Sequence, residues 1–208
     1  MNGKLVRASL LFVSLAALSL TTFAQQQRQR GGLDSLSLIT HAGASAPDSA
    51  GWQTFAPEGA GFSILVPGTP EEETKRGHDA GMLAPQFRTY KLAAADGVKY
   101  EFGRTGQFPA QLVTAEFQAQ FYEHNADIMT AALQHENPQA HFKLVEERHV
   151  SVAGFDGREY EFAGTGVRTL ARVCVIDRAI FALSISGPEA ALTNDKASKF
   201  FESFTPMQ

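Results

Sequence analysis

The chain has 208 residues, 44% of them hydrophobic, with 18 Lys+Arg against 22 Asp+Glu and a formal net charge of −4. That length suits a single domain with a real core, and the acidic balance argues against nucleic acid or an anionic membrane as partner, since both recruit clustered Lys and Arg. Cys174 is the single cysteine, which excludes an internal disulfide, so the folded state must be held by its core.

At the start of the chain, Lys4 and Arg7 precede an apolar run at Ser9–Leu20, and Thr22 and Ala24 are the small residues of a cleavage site. The run is too short to span a bilayer comfortably, which takes about 20 apolar residues. The pattern predicts a signal peptide over residues 1–24, a mature start at Gln25 and an exported protein, periplasmic or extracellular. No cysteine follows the run, so lipid attachment at a new N-terminal Cys is excluded, and no transmembrane segment is expected after cleavage. Cleavage removes Lys4 and Arg7 and no acidic residue, leaving 16 basic against 22 acidic residues and a net charge near −6. Residues 25–50, from QQQRQRGG to HAGASAPDSA, are too polar and small to offset their ordering entropy and are expected to form a flexible tether. A short apolar patch, LSLIT at Leu36–Thr40, interrupts them.

The domain proper is expected over 51–206. Trp52–Pro57 reads as a short strand and Glu58–Gly61 as a turn. Phe62, Ile64 and Val66 alternate with Ser63 and Leu65 in a second strand, stopped by Pro67-Gly68-Thr69-Pro70. Glu71–Leu83 is charged and contains glycine, and it is expected to be a solvent-facing loop. Phe87–Leu92 and Val98–Phe102 flank a turn at Ala93–Gly97, a hairpin with Val98, Tyr100 and Phe102 on one face. The period then changes. Val113, Phe117, Phe121, Ile128 and Ala132 fall on one stripe at helical spacing, widened by Tyr122, Met129 and Leu133, which predicts a helix over Leu112–Glu136 ended by Asn137-Pro138. Four more strands follow at Phe142–Val152, Gly157–Phe162, Val167–Ile176 and Ala179–Ser186, with connections short enough to make them antiparallel neighbours. Gly187-Pro188 breaks the last, and Glu189–Phe204 is expected to form a closing helix anchored by Phe200, Phe201 and Phe204. Two batches of strands separated by one helix, with a second helix at the end, predict an α+β domain. With both sheet faces covered, the arrangement is an α/β/α sandwich around a largely antiparallel sheet.

Three segments carry a resemblance: W-x-x-F-x-P-E-G-x-G-F-S-I-L-V-P-G-T-P at Trp52–Pro70, G-F-D-G-R-E at Gly154–Glu159 and K-F-F-E-S-F at Lys199–Phe204. With this order of elements, residues 52–206 resemble the PsbP-like fold, found in thylakoid-lumen subunits of photosystem II and in bacterial envelope proteins. The resemblance implies a binding or assembly factor and supplies no catalytic residues, because the shared positions are turns and core aromatics.

No G-x-x-x-x-G-K-[ST], H-E-x-x-H, C-x-x-C or G-x-S-x-G occurs in the chain. Gly164-Thr165-Gly166 joins two strands and offers no helix N-terminus to an anion. His124 and His135 return to nearly the same helix face but lie about 16 Å apart along the axis, too far to share one metal ion. His124 and Asp127, at i and i+3, are the candidate metal pair, with Glu123 or a distant loop as a third ligand. Asn125 points into the apolar arc, where a buried amide needs a partner. It either bonds to a loop or strand end or joins Tyr122 and His124 in lining a ligand pocket between helix and sheet. Glu116, Glu123 and Asp127 form an acidic helix face, either solvated or a docking surface for a basic partner. Glu159 and Glu161 share a strand face, and cross-strand pairing with Arg168 or Arg172 is a simpler account than acid/base work. Cys174, within VCVI, reads as a buried and inert thiol. The pattern favours an exported binding or accessory protein whose partner is an envelope protein or component, with a small-molecule or metal carrier as the alternative; no cofactor is implied.

Overall fold

The computed structural model describes residues 46–48, 51–75 and 86–207. The expected signal peptide, the tether apart from residues 46–48, and the later part of the expected loop at Glu71–Leu83 lie outside the described residues.

The described residues form ten strands and two α-helices. The strands are β1 (Gln53–Phe55), β2 (Phe62–Val66), β3 (Glu71–Lys75), β4 (Phe87–Ala93), β5 (Lys99–Thr105), β6 (Lys143–Val152), β7 (Phe155–Gly164), β8 (Val167–Ile176), β9 (Ala179–Gly187) and β10 (Thr205–Pro206). The helices are α1 (Ala115–Glu136) and α2 (Asn194–Glu202). Seven strands make one antiparallel sheet in the order β3-β4-β5-β9-β8-β7-β6, and β1-β2-β10 make a second of three. The helix α1 packs on one face of the large sheet, and α2 with the small sheet packs on the other. The domain is α+β, mostly sheet, with one long helix mid-chain and one near its C-terminal end.

Two apolar layers follow from the alternation of side chains along each strand. On the α2 side, Phe62, Ile64 and Val66 of β2 meet Tyr100 and Phe102 of β5, Phe181, Leu183 and Ile185 of β9, and Phe200, Phe201 and Phe204. On the α1 side, Tyr160 and Phe162 of β7, Val173 of β8 and Ile180 of β9 pack beneath Phe121, Ala126, Met129 and Leu133. Thr114 sets the start of α1, its hydroxyl accepting from the Phe117 N–H at 3.1 Å. A 3-10 turn at Ala110–Leu112 precedes it, which is why the helix begins later than its apolar stripe suggests.

Three elements differ from the sequence expectation. Glu71–Lys75 is a strand rather than loop, paired in full register with β4 at the edge of the large sheet. Its charges fit that place, because Glu72 pairs with Arg88 at 3.0 Å and Glu73 with Lys91 at 2.9 Å, and a charged edge resists pairing with other chains. The closing helix is shorter than Glu189–Phe204. Pro188 opens a turn in which its carbonyl accepts from the N–H groups of Ala191 and Leu192, and Thr193 caps the helix that follows. Beyond α2, Thr205–Pro206 adds β10 to β2, pairing Thr205 with Ser63 and Pro206 with Phe62. Near the other end, Asp48 is held rather than free: Lys199 Nζ lies 2.8 Å from its carboxylate, and the Trp52 N–H donates to that carboxylate at 2.9 Å.

Candidate functional site

The middle of α1 lies over β7. Tyr122 is buried, and its hydroxyl donates to the Asp156 carbonyl at 3.2 Å. The Arg158 guanidinium sits 4.6 Å from the centre of its ring, a cation–π contact. Asn125 is fully buried (0% exposed), and its amide nitrogen donates to Met129 Sδ at 3.2 Å. The Asn125 amide also meets the Tyr160 hydroxyl, which donates to the Tyr122 carbonyl at 3.4 Å. Burial pushes the Tyr122 and Tyr160 phenols up to about 12, so both stay neutral donors. Asn125 therefore sits in the apolar arc as its spacing indicates, but its contacts are a side-chain sulfur and a strand tyrosine rather than a loop or strand end.

Of the candidate residues, Tyr122 and Asn125 come together at the helix–sheet interface, while His124 and Asp127 do not join them. His124 Nδ1 lies 2.9 Å from the Gln120 carbonyl of its own helix, and Asp127 is exposed. Among the described residues, no group of three or more His, Cys, Asp or Glu side chains is arranged to hold a metal ion. Glu116 and Glu123 are exposed beside Asp127, so all three acids face outward.

The opposite face of β6, β7 and β8 carries a row of charge. Arg148, Glu159 and Arg172 lie side by side on adjacent strands. Glu159 is only 4% exposed. One of its oxygens accepts from Arg148, and the other accepts from Arg172 Nε at 2.5 Å. Arg172 extends to Glu202 of α2 at 2.7 Å and lies 4.7 Å from the centre of the Phe201 ring. Burial alone would raise the Glu159 carboxyl, but the hydrogen bonds from the two guanidiniums outweigh it and hold it below its ordinary value. Glu161 pairs with Arg168 at 2.8 Å. Both carboxylates thus take the cross-strand arginines expected of them. Arg148 and Glu202 were not foreseen. Arg148 stands in an alternating charged run, but nothing local tells which strand pairs with which.

Cys174 faces the α2-side core with 0% exposure, and burial pushes its thiol up to about 12. A thiolate is the reactive form, so iodoacetamide at neutral pH is expected to leave the native protein unmodified and to alkylate it fully in denaturant. Intact-mass measurement reads both, and native labelling within minutes would contradict the buried placement.

No family model matches the chain, and neither does any curated protein sequence. Among solved structures, cyanobacterial PsbP (CyanoP) from Synechocystis sp. PCC 6803 matches with a TM-score of 0.52 and 14% identity, covering 84% of this chain and 98% of that one. The fold is PsbP-like. Two further structures align less well: a protein of unknown function from Pseudomonas aeruginosa at TM-score 0.36 and 12% identity, covering 62% of this chain and 90% of that one, and a Bacteroides thetaiotaomicron protein at 0.35 and 15%, covering 74% and 48%. The PsbP-like assignment rests on the first. It fixes the architecture around Tyr122, Asn125 and Glu159 and assigns them no chemistry. Among the described residues, no helix of the PsbP-like domain is long and apolar enough to cross a membrane.

Proposed function

We propose that the protein is an exported, non-enzymatic binding or accessory protein of the bacterial cell envelope, with an envelope protein or component as its partner. One observation supports this best: the buried groups with reactive side chains are committed to the architecture. Glu159 is locked between two arginines, Cys174 is a neutral thiol in the core, and Tyr122 and Tyr160 donate to backbone carbonyls. A catalytic acid, base or nucleophile needs access and a pKa matched to its task, and these groups have neither. The PsbP-like fold and the signal-peptide pattern of residues 1–24 are consistent with that role.

A second reading, a small-molecule carrier, has its own observation. Asn125 Oδ1 and Thr169 Oγ1 are buried on the α1 side of the sheet without a hydrogen-bond partner among the described residues. Buried polar atoms are normally satisfied, and a bound ligand would satisfy them. Native mass spectrometry on the tagged protein, recovered gently from its host's envelope fraction, separates the two readings. A co-purifying protein with no small adduct is the expected result. A discrete small adduct that disappears in Asn125→Leu would favour the carrier, and a bare monomer would count against tight binding of either kind.

A further inference from the structure

Several exposed or half-exposed carboxylates face a cation: Glu72 with Arg88, Glu73 with Lys91, Glu161 with Arg168, Glu202 with Arg172, and Asp96 with Lys196. Exposed acids such as Glu58, Asp177 and Glu189 stand singly on separate turns, whereas on α1 three acids share one face. The helix α1 has no Lys or Arg in its 22 residues, and it carries Glu116, Glu123 and Asp127 on its exposed side. None of these three makes an ion pair among the described residues. Glu123 and Asp127 stand at i and i+4, where two like charges destabilise a helix and a Lys would stabilise it. Glu116 lies in the first turn, where a carboxylate suits the helix dipole, but helix stability does not account for Glu123 and Asp127.

The stripe is not purely polar. Glu116, Gln120, Glu123 and Asp127 run at i, i+4, i+7 and i+11 along one line of the helix. Phe117, Phe121, His124 and Ile128 run along the next, about 100° round the axis. That second line is half-buried rather than covered. Phe108, Phe117 and Phe121 form a ladder with ring centroids 5.7 and 6.3 Å apart, and Leu112, in the 3-10 turn that leads into α1, is 45% exposed. An apolar strip edged by uncompensated negative charge has the form of a recognition surface: apolar anchors supply contact, and the charged rim steers and selects the partner.

Building on the binding-protein reading above, we infer that this face of α1 docks a basic, amphipathic protein segment. The partner's large apolar side chains lie along Leu112, Phe117, Phe121 and Ile128, and its Lys or Arg residues meet Glu116, Glu123 and Asp127. Opposite sign is what the rim selects, and apolar spacing is what the strip selects. A segment with only one of the two properties binds weakly.

Fluorescence anisotropy at near-physiological salt tests this with two labelled peptides, one of Lys and Leu at helical spacing and one with every Leu replaced by Ser. The protein is expected to bind the Lys/Leu peptide at least tenfold more tightly than the Lys/Ser peptide. Glu123→Lys combined with Asp127→Lys is expected to weaken that binding at least tenfold. Glu58→Lys combined with Glu189→Lys makes the same change of net charge in the α2-side layer and should leave the affinity within about twofold. Circular dichroism verifies that both variants are folded, and Leu112→Ser provides an independent test of the apolar strip. The inference is overturned if both peptides bind equally, if neither binds, or if the two charge reversals act alike. A partner recovered from the envelope that binds the α1 reversal unchanged would also overturn this surface while leaving the binding-protein reading intact.

Discussion

Phe62→Ala is expected to remove about 3–5 kcal/mol of folding stability, the range for deleting a fully buried phenylalanine side chain. That is a large share of the roughly 5–15 kcal/mol that holds a typical domain. Phe62 has no exposed surface and lies where the two sheets meet. Its ring centroid is 5.8–6.2 Å from those of Tyr90, Phe102, Phe181 and Phe204. These residues belong to β4, β5, β9 and the segment after α2, so a void at Phe62 loosens four elements together. Urea denaturation of both forms gives the difference, and Phe62→Leu, which keeps more of the volume, should lose distinctly less. A loss below about 1 kcal/mol would mean that the two sheets do not depend on this contact.

Glu159→Ala is expected to cost about 1–3 kcal/mol at neutral pH, because Arg172 loses its buried partner and keeps only the exposed carboxylate of Glu202. The partner that matters is Arg172, whose side chain is 14% exposed; Arg148, at 53%, is largely screened by water and contributes little. Replacing Glu159 and Arg172 together with Leu should recover much of the loss, since no unpaired charge then remains in the core. The pH dependence has a definite sign. A carboxyl held below its ordinary value binds its proton more weakly in the folded state than in the unfolded state. Its contribution is therefore complete above the ordinary glutamate value, about 4.3, and is lost as pH falls from there through the lowered folded value. The stability gap between wild type and Glu159→Ala should be constant near neutrality and should shrink below about pH 4. A gap that widened in acid would contradict the ion-pair account.

The parts of this fold that could be read from the sequence are those with a local period. Val167–Ile176 is a run rich in β-branched and apolar residues bounded by Gly164-Thr165-Gly166 and Asp177-Arg178, so its limits can be read from its turns, and the apolar stripe of α1 marks the long helix. Glu71–Lys75 defeats that reading because its side chains, EEETK, carry no apolar alternation; they pair by charge with β4 and guard the sheet edge. Its partner, β4, is recognised only once the sheet exists. Thr205–Pro206 is too short to show any period, and a proline there reads as a stop. The candidate site divides the same way. The i, i+3 and i+4 geometry of one helix brings Tyr122 and Asn125 into the interface. The second arginine on Glu159 depends on β6 pairing with β7, a choice that the spacing of Arg148 does not encode.

The pairing of β2 with β10 has a consequence in time. The Leu65 N–H donates to the Ser203 hydroxyl across 138 residues of chain, and the Met207 N–H donates to the Gly61 carbonyl. A ribosome adding about 5–20 residues per second needs roughly 7–28 s to pass from one end of the first contact to the other. Sheet-rich domains dominated by distant contacts fold in milliseconds to seconds. Synthesis, and not the search for the native state, therefore sets when this core can be sealed. Until then β2 has no second strand beside it, and the aromatic faces of β4 and β5 lack the α2 residues that cover them. A nascent chain in that condition leaves apolar surface open to its neighbours and is prone to aggregate until its last residues are made.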